Sequence, residues 1–113
     1  MVLAVLFGGA ARVRAHASLA RTEPREGSTV RSSPAEVRLW FSEPLDRAFS
    51  TLQVVSAAGQ RVDQGDGRVD PAAPKQLRVS LPTLPAGTYK VHWRVLSVDT
   101  HVTAGEITFR VAP

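Results

Sequence analysis

The chain has 113 residues, 43% of them hydrophobic and 21% charged, which leaves room for one folded domain and excludes wholesale disorder. Cysteine is absent, which excludes disulfides, thiolate metal sites and a cysteine nucleophile. Arg12 and Arg14 account for two of the 14 basic residues behind the formal charge of +4; the other twelve are interspersed with ten acids, and with few aromatics to stack bases this pattern excludes a nucleic-acid stripe.

The first segment, MVLAVLFGGAARVRA, differs from everything after it. Val2 to Ala11 is apolar or glycine, the length of a signal-peptide core and too short to cross a bilayer as a helix. Val13 and Ala15 supply small residues at the −3 and −1 positions of a cut before His16, although no basic residue precedes the apolar run. Residues 1–15 are therefore expected to be the remnant of an export signal. Residues 16–113 are expected to form the mature domain, in the periplasm or outside the cell.

Beyond His16 the pattern is one of strands. In AEVRLWFSEPL, Val37, Leu39 and Phe41 alternate with Glu36, Arg38 and Trp40. STLQVVSAAGQRV has two apolar stretches about an Ala-Gly turn. DQGDGRVDPAAP (63–74) is the longest polar stretch, and its Asp63, Asp66 and Asp70 lack the spacing and closing glutamate of an EF-hand, so a solvated hairpin loop is expected. KQLRVSLP sets Leu77, Val79 and Leu81 against Gln76, Arg78 and Ser80. GTYKVHWRVLSV puts Tyr89, Val91, Trp93 and Val95 on one face and Lys90, His92 and Arg94 on the other, and GEITFRVA repeats the alternation with Ile107, Phe109 and Val111. A period of two with one polar face marks antiparallel sheets. Several short strands divided by Pro, Gly, Asp and Ser predict an all-β sandwich or barrel with little helix.

Chemistry concentrates in the histidines. His92 lies between Lys90 and Arg94, which makes it a poor metal ligand and an expected surface residue. Asp99 and His101 are two apart in SVDTHVTAG, so in extended backbone both side chains leave from one side and can share a metal ion. If cleavage exposes His16, its α-amine and imidazole can chelate the same ion. Two imidazoles, an amine and a carboxylate can lie in a square, which suits Cu(II), whereas zinc would accept these donors but prefers a tetrahedron.

Three stretches, HASLARTEPREGSTV, VRLWFSEPL and LPAGTYKVHWRVLSVDTHVTAGEITFRV, together resemble the CopC family of periplasmic copper-resistance proteins over nearly all of 16–113. The resemblance implies a small Greek-key β-sandwich or barrel, Ig-like or cupredoxin-like, that binds Cu(2+) through His16 (amine and ring), Asp99 and His101. It implies for Glu43, in F-S-E-P, a weak or outer contact near the site. Some members of the family carry a methionine-rich Cu(I) segment, but here residues 45–90 hold no Met, His or Cys, so a Cu(II)-only member is expected.

The expected function is to buffer Cu(II) or deliver it to a CopD-type membrane partner, as a monomer and without catalysis. Two alternatives come from other classes. One is a histidine-brace copper oxidase or monooxygenase, opposed by the small size and by Asp99 occupying a position that oxygen needs. The other is a metal-free Ig-like interaction module.

Overall fold

A computed structural model describes residues 17–113. These form eight strands: β1 (Leu19–Glu23), β2 (Thr29–Val30), β3 (Glu36–Phe41), β4 (Thr51–Ser56), β5 (Arg68–Asp70), β6 (Ala73–Ser80), β7 (Gly87–Leu96) and β8 (Val102–Val111). Two four-stranded sheets result, ordered β1-β3-β6-β5 and β2-β8-β7-β4. From β4 the chain crosses to the β5–β6 hairpin in the other sheet and returns in β7 beside β4, the return of a Greek key. The fold is thus the expected all-β sandwich. Among the described residues no helix is long and apolar enough to cross a membrane.

The period-two pattern explains the core. Val37, Leu39 and Phe41 of β3, Leu77 and Val79 of β6, Val91 and Val95 of β7, and Ile107, Phe109 and Val111 of β8 are all buried between the sheets. Tyr89 stacks on Phe109 with ring centroids 5.6 Å apart, and its buried hydroxyl donates to the Pro85 carbonyl at 2.6 Å. Trp93 faces inward as expected but remains partly exposed, and it meets Phe41 edge-on at 5.2 Å. Opposite Trp93 on β8 stands Gly105, where a Cβ would lie 2.5 Å from the indole Cζ2, so only glycine leaves room for the ring.

Outside the β1-β3-β6-β5 sheet, alternating charges lie across the strands. Glu23 accepts from Arg21 and Arg38, Glu36 and Asp70 accept from Arg78, and the Arg21 guanidinium lies 4.2 Å from the centre of the Trp40 ring.

Three expectations need correction. The sheets are not wholly antiparallel, because the two-residue β2 pairs parallel with β8. The stretch 63–74 is a solvated loop only in part, with residues 64–66 and 71–72 exposed. Val69 is buried, residues 68–70 form β5, and β6 already begins at Ala73. Gln76 is buried despite its place on the polar face. β1, in a segment with no alternation, is an edge strand fixed by pairing with β3, and its register shifts between Leu19 and Arg21.

Candidate metal centre

Three segments meet at one end of the sandwich. At the end of β7, Ser97 is 1% exposed and forms an isolated bridge with Leu45. The connection after β3 fastens to it through Asp46 N–H to the Leu96 carbonyl (2.7 Å) and Val98 N–H to the Pro44 carbonyl (3.1 Å). The start of the described chain is held there as well. Ser18 N–H donates to Ser42 Oγ at 2.8 Å, Ser42 N–H donates to the Ser18 carbonyl at 2.8 Å, and the Thr103 hydroxyl donates to the Ala17 carbonyl at 3.2 Å.

Within this frame Asp99 and His101 converge, with Asp99 Oδ1 3.3 Å from His101 Nδ1. The expected cause of that convergence was wrong. Residues 98–100 are not extended; they form a turn closed by Ser97 N–H to the His101 carbonyl (2.9 Å) and Thr100 N–H to the Ser97 carbonyl (2.8 Å). Thr100 takes a φ of 72°, a left-handed conformation that a β-branched residue adopts only where its surroundings impose it. A turn therefore brings the carboxylate back to the imidazole.

Electrostatics suits a cation. The Ser97 hydroxyl donates to Asp99 Oδ1, and together with the neighbouring His101 it holds the Asp99 carboxyl below the usual carboxylate range. Both side chains reach solvent, with about half of each exposed (53% for Asp99 and 44% for His101). An ionised carboxylate beside an imidazole, braced by a buried hydroxyl, brings together an oxygen and a nitrogen of the kinds that hold a metal ion. Ala17 and Thr103, which bring the N-terminal segment here, and Ser97, which braces the pair, were not singled out from sequence. Only the serine two before Asp99 left a signal, as a short side chain able to bond a turn.

The other expected site residues fall out as follows. His16 lies outside the described residues. Glu43 is exposed in the connection that flanks Val98, and among the described residues its carboxylate shares no hydrogen bond or ion pair with Asp99 or His101. His92 stands on the outer face as expected, across from Glu106, with Nδ1 3.4 Å from that carboxylate. The described residues contain no cluster of three or more metal-ligating side chains, so Asp99 and His101 are a pair.

The CopC domain family matches residues 19–112. "Copper resistance protein C" of Pseudomonas syringae pv. tomato is 37% identical over 107 residues, covering 89% of this chain and 84% of that protein. "Copper transport protein CutJ" of Bacillus subtilis (strain 168) is 32% identical over 98 residues; the match takes in 86% of this chain but spans 18% of the length of CutJ. Among solved structures, the crystal structure of CopC from Methylosinus trichosporium OB3b superposes with a TM-score of 0.77 at 31% identity, covering 87% of this chain and 95% of that one.

Proposed function

The chain belongs to the CopC domain family, and on that premise we propose that it is an exported Cu(II)-binding protein whose ligands are the amine and ring of His16, the Asp99 carboxylate and the His101 imidazole. One observation supports this most: the Thr103 hydroxyl holds the Ala17 carbonyl at 3.2 Å. Thr103 lies two residues beyond His101, a spacing of about 7 Å along a strand. Ala17, the first described residue, is thus held beside the strand that begins just beyond the Asp99/His101 pair.

The donor set explains the choice of ion. Three nitrogens and one carboxylate oxygen favour Cu(II), which heads the divalent affinity order and accepts a square. Cu(I) prefers thioether or thiolate sulfur, and Met1 and the absence of cysteine leave residues 16–113 with none. Copper here is cargo. The protein takes it up in the periplasm or outside the cell as a monomer, and it buffers the ion or hands it to a CopD-type membrane transporter without transforming it. Glu43, on the neighbouring connection, is an outer acid that attracts the cation.

The test depends on the terminus. A bidentate His16 needs a free amine, so the protein beginning at His16 should bind one Cu(II) with nitrogen-dominated EPR parameters. A variant with one alanine before His16 should bind at least a hundredfold more weakly. Acid should release the ion, since protons compete for both imidazoles and the amine. Equal affinity in the two forms would remove His16 from the site. Retention of Cu(I) against a competing chelator would overturn the ligand assignment.

A further inference from the structure

Ser97 is a buried side chain that touches both members of the pair. It is 1% exposed, and its hydroxyl has three partners within the turn. It donates to Asp99 Oδ1, it accepts the His101 N–H at 3.3 Å, and it lies 3.3 Å from the His101 carbonyl, which the Ser97 N–H also bonds at 2.9 Å. A hydroxyl has a single hydrogen, and the carboxylate is the nearer acceptor, so the proton goes to Asp99 while the oxygen receives the His101 amide. Fixing Oδ1 sets the carboxylate rotamer and leaves Oδ2 for another partner. Fixing the His101 backbone sets the root of the imidazole.

We propose that Ser97 is the positioning residue of the metal pair, holding Asp99 and His101 in the geometry in which they receive the ion. The proposal rests on the reading that these two residues bind Cu(II). It goes beyond that reading by assigning ligand alignment to a side chain that never meets the metal. Ser97 can do this because it is anchored from behind: its bridge to Leu45, and the flanking Asp46–Leu96 and Val98–Pro44 hydrogen bonds, tie it to the connection after β3. Groups behind a metal ligand typically alter affinity by about 10–100-fold when removed.

The test uses Ser97→Ala in the protein beginning at His16, with Cu(II) affinity measured by chelator competition and ligand geometry by EPR. The variant should be folded at 25 °C by circular dichroism, should bind Cu(II) at least tenfold more weakly, and should show altered copper hyperfine parameters. Ser97→Thr, which keeps the hydroxyl, should regain most of the affinity. In an Asp99→Ala background, Ser97→Ala should cost less than threefold, because the carboxylate it aligned is gone. A loss below tenfold in the wild-type background, or an equal loss in both backgrounds, overturns the proposal. So does a Ser97→Ala protein unfolded at 25 °C, which would show that the serine holds the fold and not the pair. Failure of the underlying reading looks different: His101→Ala would then leave Cu(II) affinity unchanged whatever Ser97 does.

Discussion

Two aspartates sit in polar turns of this molecule and come to opposite ends. Asp63, after β4, has a side chain with no solvent exposure. One carboxylate oxygen accepts the Val54 N–H and the other the Gly65 N–H, both at 2.8 Å, and the Arg61 guanidinium spans the two at 3.0 and 3.1 Å. Asp99, after β7, is about half exposed; a single buried hydroxyl fixes it from behind, and it faces an imidazole. Its neighbours in sequence, Asp66 and Asp70, follow Asp63: Asp66 takes the Ser80 N–H and Arg68, and Asp70 takes the Ala72 N–H and Arg78. A carboxylate whose lone pairs are filled by backbone amides closes a turn. One braced on a single side keeps capacity for a ligand.

Replacing Asp63 should have the largest effect on stability. Asp63→Ala strands the buried Val54 amide, at about 1–3 kcal/mol, and removes the hydrogen bonds from the exposed Gly65 amide and Arg61, at about 1 kcal/mol together, so the cost should be about 2–4 kcal/mol by chemical denaturation. Cu(II) affinity should stay within a factor of two. A copper defect as large as the stability defect would mean that the two turns are not independent.

The pH dependence of stability sharpens the comparison next. Burial alone would raise the Asp63 pKa, but the hydrogen bonds from Arg61 and from the Val54 and Gly65 amides outweigh it and leave the carboxyl below its ordinary value. Its folded pKa lies below its unfolded one, so its contribution is complete above the unfolded value of about 3.9 and is lost as pH falls through the folded value. Asp63→Asn should therefore flatten the fall of unfolding free energy between about pH 5 and pH 2. Part of the slope should survive, because Glu23, held low by Arg21, and Asp66, held low by Ser80, titrate in the same direction. An unchanged acid limb would show that Asp63 is not the main acid-sensitive group.

Asp99→Ala should invert the pattern, leaving the midpoint of chemical denaturation close to that of the wild type while Cu(II) binding weakens at least tenfold. The smallest effect belongs to Arg68→Ala. Its partner Asp66 is 42% exposed and Arg68 47%, so screening leaves the pair worth about 0.5 kcal/mol or less. A larger loss would mean that Asp66 depends on its cation as Asp63 does.

Much of this architecture can be read from residue patterns. β3, β7, β8 and the second half of β6 follow from alternation alone, because each has one face in the core. β1 and β2 do not, since they are short edge strands whose conformation comes from the partners they pair with. β5 is hidden because Val69 is its only buried side chain and its neighbours are charged. The same polar composition that suggests solvent in 63–74 serves there to cap amides, and no count of aspartates separates the two uses. At the candidate metal centre the D-x-H spacing names two residues that the structure does bring together, though not for the geometric reason the spacing suggests. Strand alternation would align the two side chains, whereas the chain turns at Thr100 and returns. Ser97 escapes notice because a serine two before an aspartate is common, and only its burial reveals what it touches.

The Thr103–Ala17 hydrogen bond also bears on timing. These residues stand 86 positions apart, so that contact closes a loop comprising nearly the whole domain. Loops of this length form late, after the local hairpins β5–β6 and β7–β8 have repaid part of their ordering entropy. A chain missing β8 would therefore lack the junction at which Ala17 meets Thr103. On the reading proposed above, copper capture would then report completed folding.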